Sequence, residues 1–227
     1  MSMTSEPRSR SAATAGPDAP TPAESNPVSE PAGARERQVH VAALGLFATQ
    51  GLGAPLADIA KAAGVGVATL YRRYRDKDIL ILEVYRGQLD VMEKLAVQAN
   101  DFPDAWSGLV HFLRRTTEHF AADRGLRELI LGGYVGGVGW ARRSTHKELI
   151  EALDLLERRV IAALEVLVTR AKEQGTVRSD FDATDVLLMS AMAHAPAPVK
   201  ESGWPVRDKR ALTLLLEGIR PPAPDGS

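Results

Sequence analysis

Cysteine is absent from the 227 residues, which removes disulfides, thiolate metal sites and cysteine redox sensing together. No apolar run approaches the roughly 18 residues of a transmembrane helix, and the N-terminus lacks the apolar stretch of a secretory signal; a cytoplasmic protein with no membrane partner is expected. Charge of one sign is lacking too, with 28 Lys and Arg against 29 Asp and Glu. No segment alternates as a strand and no internal repeat is visible. Ser, His and acidic residues occur without a nucleophile elbow, zinc signature or nucleotide loop, so the chain does not read as an enzyme. The five histidines give no chelating pattern. His111 and His119 lie eight apart, about 12 Å along a helix, and His40, His146 and His194 show no partner at i+3 or i+4. Neither a metal site nor a cofactor is expected.

What is present is helical periodicity over a hydrophobic content of 44%, enough for one or two compact domains. Residues 1–34 hold six prolines among Ser, Ala and Thr and almost no large apolar side chain, which predicts a disordered tail. Residues 221–227 form a second tail by the same reasoning. Between them, apolar residues recurring at three and four predict helices near 35–50, 55–62, 66–73, 76–99, 104–121, 126–138, 145–174, 183–195 and 207–219. Asp76 suits the N-cap of the fourth, and Gly175 ends the long seventh. Asp182 with Asp185 makes a capping-box-like start to the eighth, which Pro196 and Pro198 stop.

The stretch from Leu56 to Tyr74 carries the most information. Leu56, Ile59, Ala60 and Ala63 share one helical stripe. Gly64 supplies a residue able to take positive φ at a sharp turn, and Val65 plugs the crossing of two helices. The next helix buries Leu70 and turns Val67, Ala68, Thr69, Tyr71, Arg72 and Arg73 to other faces. From Arg35 to Arg86, eight cations stand against five acidic residues, a local excess of +3. Four of those cations fall between Arg72 and Lys77, where phosphates would release counterions on meeting them. This is the layout of a helix-turn-helix.

The run of Arg35, Phe47, Gly51, Ile59-Ala60, Ala63-Gly64-Val65, Thr69-Leu70-Tyr71, Lys77 and Leu80 resembles the N-terminal domain of the TetR (tetracycline-repressor) family of bacterial transcription regulators, in motif detail from Arg35 to Val84. The resemblance implies an all-α fold: a three-helix DNA-binding domain over 35–80 and a helical effector-binding and dimerisation domain over 81–220. It implies that Val67, Ala68 and Thr69 face the major groove while Tyr71 and Lys77 hold phosphate oxygens. The chemistry agrees, since hydroxyl and ammonium groups anchor the backbone and small apolar groups pack on thymine methyls. Arg72 or Arg73 adds a bidentate guanine contact. Phe47, Leu70 and Tyr74 belong to the core. Two positions depart from the family: Gly66 replaces a Ser or Thr cap, and Ala54-Pro55 replaces another at the start of the second helix.

The C-terminal half is less specific. Trp106, Phe112, Phe120, Tyr134, Trp140, Met189 and Met192 are candidate cavity residues, although each singly reads equally as core. Five glycines between Gly132 and Gly139 would weaken a helix; a loosely held helix end beside the cavity and a close helix crossing both explain them. Val186, Leu187, Leu212, Leu215, Leu216 and Ile219, on the last two helices, are candidates for a four-helix dimer interface. The expectation is a ligand-responsive regulator, a repressor that binds a palindromic double-stranded operator as a homodimer and is released by a small molecule. Its rival is a sequestering module of the same fold that no longer binds DNA.

Overall fold

The caps written into the sequence place the helices. A computed structural model describes residues 32–131, 144, 146–194 and 208–222. Within these, the elements are α1 (Ala32–Gln50), α2 (Leu56–Ala62), α3 (Val67–Arg73), α4 (Lys77–Gln98), a 3-10 turn (Ala99–Asp101), α5 (Ala105–Ala122), α6 (Arg124–Leu131), α7 (Lys147–Glu173), α8 (Ala183–His194) and α9 (Asp208–Gly218). The described residues contain no strand, and none of their helices is long and apolar enough to cross a membrane. The tail expected over 1–34 lies outside them up to residue 31, as do Tyr134, Trp140 and the rest of the glycine-rich segment.

Gly64 takes φ +66° and closes α2: its amide donates to Lys61 O at 3.2 Å while Val65 N donates to Ala60 O at 3.0 Å, the paired bonds of a left-handed helix end. Gly175, φ +64°, ends α7 in the same way, with its amide on Lys172 O and Thr176 N on Ala171 O. Asp76 caps α4 by accepting from Asp78 N. Asp182 accepts from Asp185 N at 3.0 Å, and Asp185 accepts in return from Asp182 N at 2.9 Å, the reciprocal box the sequence predicts. Most of the other boundaries shift by one to three residues, and α1 begins at Ala32, inside the expected tail, rather than at 35. Pro55 stands at the cap of α2, one residue outside the helix. Helix α6 starts two residues early because the Asp123 carboxylate accepts from Leu126 N at 2.9 Å.

In the N-terminal head, Phe47, Leu70 and Tyr74 are buried with Leu52, Ile59 and Leu80, and Phe47 stacks on Tyr85 of α4. Helix α4 runs on from the head and packs along α7. Helices α5 and α8 close the other side of that pair, and α6 returns against α1. The core therefore continues from the three-helix head into the C-terminal bundle.

Candidate nucleic-acid interface and effector cavity

Helix α3 is held from beneath and bare on top. Leu70 is 2% exposed, whereas Val67 is 45% and Tyr71 50% exposed; Ala68, Thr69, Arg72 and Arg73 are exposed as well. Gly66 caps the helix with extended backbone and no side-chain hydrogen bond, leaving its first amides open to an anion. Tyr71 thus projects to solvent rather than packing on α1.

The two adjacent arginines differ in their surroundings. Arg73 donates to Glu36 of α1 at 2.5 Å and to Tyr74 Oη at 3.2 Å. Arg72 has no such partner among the described residues. Tyr74 Oη in turn donates to Glu83 of α4 at 2.8 Å, and His40 Nε2 lies 3.0 Å from the same Glu83 oxygen. Burial, more than its hydrogen bonds, pushes the Tyr74 phenol up to about 12. Glu36, His40 and Glu83 bring potential metal-ligand atoms within 4.8 Å of one another, a grouping the sequence analysis missed although Glu36 precedes His40 by one helical turn. Here those groups engage Arg73 and Tyr74, and the network ties α3 to α1 and α4.

Lys77, expected at a phosphate, sits half-buried between the α1–α2 loop and α4. Its ammonium donates to Leu52 O and Ala54 O, each at 2.5 Å, and lies 5.5 Å from the Phe47 ring centre. Desolvation lowers its pKa. Lys77 therefore pins the loop that orients α2.

A polar joint connects the head to α6. Glu128 accepts from Leu52 N at 2.9 Å and from Arg124 Nε at 2.7 Å. Gly51 holds φ +85°, and a Cβ there would lie 2.5 Å from the Glu128 carboxylate, so a side chain would strain the backbone and displace that carboxylate. Gly125 is equally tight: a Cβ there would run into Tyr85 Oη and stand 2.9 Å from Phe47 Cβ. Tyr85 donates to Asp123 at 2.8 Å, and desolvation holds its phenol well above the usual range. Further along, Ser144 donates to the buried Asp78 carboxylate of α4. Asp123, Gly125 and Glu128 belong to no motif, so nothing in the sequence marks them.

Behind this joint lies a cavity of about 430 Å³, within the range of small-molecule sites. Phe112, Phe120, Leu129, Leu131, Leu153 and Val160 form much of its wall, with Thr116, Ser190, Asp154 and Glu157 as polar members. Two of the seven expected cavity residues, Phe112 and Phe120, line it. Trp106 is elsewhere, at the first turn of α5 with the Arg220 guanidinium 3.5 Å over its ring. Met189 is buried outside the lining and Met192 faces solvent; Tyr134 and Trp140 lie outside the described residues.

The last two helices also differ from their sequence reading. Val186, Leu212 and Ile219 are enclosed by their own chain, Leu215 and Leu216 are half-buried, and Leu187 lines the cavity. The large apolar side chains left bare there are Leu188, Met192 and Leu214, the first two one turn apart on α8.

Comparison with known proteins agrees with this architecture. Residues 41–84 match the family described as bacterial regulatory proteins, tetR family, and residues 104–221, over half the chain, match the transcriptional regulator SbtR-like C-terminal domain. The chain belongs to the TetR family of transcriptional regulators. No curated protein matches it. Among solved structures, AibR in complex with isovaleryl coenzyme A and operator DNA superposes with a TM-score of 0.60 at 19% identity, over 83% of this chain and 100% of that one. FadR from Bacillus subtilis in complex with stearoyl-CoA gives 0.56 at 17%, over 82% and 100%. PfmR from Thermus thermophilus gives 0.56 at 20%, over 80% and 97%. At these identities the likeness is one of fold.

Proposed function

We propose that the protein is a repressor that binds a palindromic operator as a homodimer and releases it when a small molecule enters the cavity behind α6. The observation that carries this reading is the exposed face of α3, where apolar and cationic side chains stand bare on a helix whose underside is locked. Val67, Ala68 and Thr69 meet base edges in the major groove, and the Tyr71 hydroxyl takes a phosphate oxygen. Arg72 is the better candidate for a guanine or a second phosphate, because Arg73 is held by Glu36. Lys77 contributes by fixing the loop before α2, and reaches a phosphate only by leaving the Leu52 and Ala54 carbonyls.

Release follows from α6. Leu129 and Leu131 line the cavity, while Glu128 and Gly125 of the same short helix grip the head. A ligand that favours a shifted α6 moves the head through that joint, by differential affinity for two states. A tenfold to hundredfold loss of DNA affinity needs about 1.4 to 2.8 kcal/mol of coupling. Pairing through Leu188, Met192 and Leu214 supplies the second recognition helix for a two-fold site. AibR, solved with both a coenzyme A ester and operator DNA, supports one such scaffold serving both partners.

The test is selection of genomic fragments by the purified protein, followed by affinity measurements across salt concentrations. A selected palindrome whose log affinity falls steeply and linearly with log salt is the expected result. A flat response with no enriched site would favour the sequestering module.

A further inference from the structure

The charge of Arg73 is engaged within the chain before any DNA arrives. From the last turn of α3 its Nη2 donates across to Glu36 Oε1 of α1 at 2.5 Å. Glu36 is the only acidic residue of α1, and α3 has none. The pair is not what holds α3 in place: Leu70 and Tyr74 are 2% and 1% exposed, and Tyr74 Oη is anchored on Glu83 at 2.8 Å. Both partners stand partly in water, with 52% of the Arg73 side chain and 38% of that of Glu36 exposed. An ion pair so open is weak. Glu36 accepts from a single guanidinium nitrogen, whereas a phosphate offers full charge and oxygens for two parallel N–H bonds. The same helix presents Tyr71 and Arg72 to solvent, so a DNA backbone that meets those two residues passes beside the Arg73 head.

We infer that Glu36 is a built-in competitor of DNA: it holds Arg73 in the free protein, and a backbone phosphate takes Arg73 from it when α3 enters the major groove. This rests on α3 being the recognition helix. Arg73 then neutralises a phosphate, a contact without sequence information, while Arg72 is left for a base edge or a second phosphate. Because one ion pair is exchanged for another, the contact adds less to affinity than an unengaged arginine would add. Glu36 therefore holds down the sequence-independent part of binding to all DNA, and base contacts supply a larger share of operator recognition.

The test is a double-mutant cycle on the full chain and its selected operator fragment, with affinity measured across salt concentrations and folding followed by thermal unfolding. Arg73→Gln should weaken binding and make the log–log slope shallower by about one, the signature of a lost phosphate contact. Glu36→Gln should tighten binding by up to about fivefold, the strength of an exposed ion pair, and only while Arg73 is present. In the Arg73→Gln background the same change should have little effect. Glu36→Asp, which keeps the charge and withdraws it by one methylene, should tighten binding in the same direction, where repulsion alone would leave affinity as it is. An unchanged slope in folded Arg73→Gln would mean that Arg73 stays on Glu36 in the complex and would overturn the exchange. So would equal tightening by Glu36→Gln in both backgrounds, which is repulsion between carboxylate and DNA, or tightening in neither. Those outcomes leave α3 as the recognition helix. Failure of the unmodified protein to bind DNA at all would overturn that reading, and this inference with it.

Discussion

Lys77 and Arg72 separate two duties that neighbouring cations share in the sequence. Lys77 satisfies two loop carbonyls, so Lys77→Met should lower stability by about 1–3 kcal/mol in urea unfolding, the cost of leaving partly buried acceptors unmet. Arg72→Ala should leave stability within about 0.5 kcal/mol and weaken operator binding nonetheless. The choice between Arg72 and Arg73 was not legible in the sequence, because the partner that holds Arg73 is Glu36, 37 residues away. Burial of Leu70 was legible from its place on the helix, and that of Phe47 and Tyr74 from the family positions they match, Tyr74 standing just past the end of α3. Tyr74 also sets a pH dependence. Its phenol is raised from 10 to about 12, so above pH 10 the unfolded chain releases a proton that the folded chain retains, and stability falls as pH rises. Tyr74→Phe should make that alkaline fall shallower between pH 10 and 12, as followed by chemical denaturation; an unchanged slope would contradict the assignment.

At the scale of the element, helix ends were read best where their chemistry is local. Gly64, Gly175, Asp76 and the Asp182–Asp185 box each act within a few residues, and the structure has all four. The start of α6 was misplaced because its cap, Asp123, is recognised only once Leu126 N and Tyr85 Oη are seen to converge on one carboxylate oxygen. In the proposed function that short helix carries the coupling, and its fit against α1 is testable. Gly125→Ala puts a methyl where Tyr85 Oη and Phe47 already lie and should cost about 1–3 kcal/mol, the usual penalty of overpacking, read from the unfolding midpoint. Glu128→Gln keeps the shape and weakens the bond to Leu52 N; it should reduce effector-driven DNA release while leaving operator affinity without effector nearly unchanged. Full release in that variant would remove α6 from the coupling route.

For the whole molecule, the sequence showed two helical parts and an apolar C-terminal pair without showing which faces remain bare. Leucines at helical spacing serve a core and a subunit interface equally well, and only the packing shows Val186, Leu212 and Ile219 turned inward with Leu188, Met192 and Leu214 outward. Leu188→Asp combined with Met192→Asp should therefore yield a folded monomer in sedimentation analysis, with operator affinity lost because a single recognition helix spans only one half-site. Substituting Val186 should instead lower stability. The cavity was equally hidden, since Phe112 and Phe120 read no differently from Trp106, which lies elsewhere. DNA binding by the exposed face of α3 is tested most directly by operator affinity against salt for the unmodified protein and for Tyr71→Ala with Arg72→Ala. The pair of substitutions should weaken binding at every salt concentration and make the log–log slope shallower by about one, with the melting temperature unchanged. Unaltered affinity and slope in a folded double variant would contradict the assignment of this face to DNA.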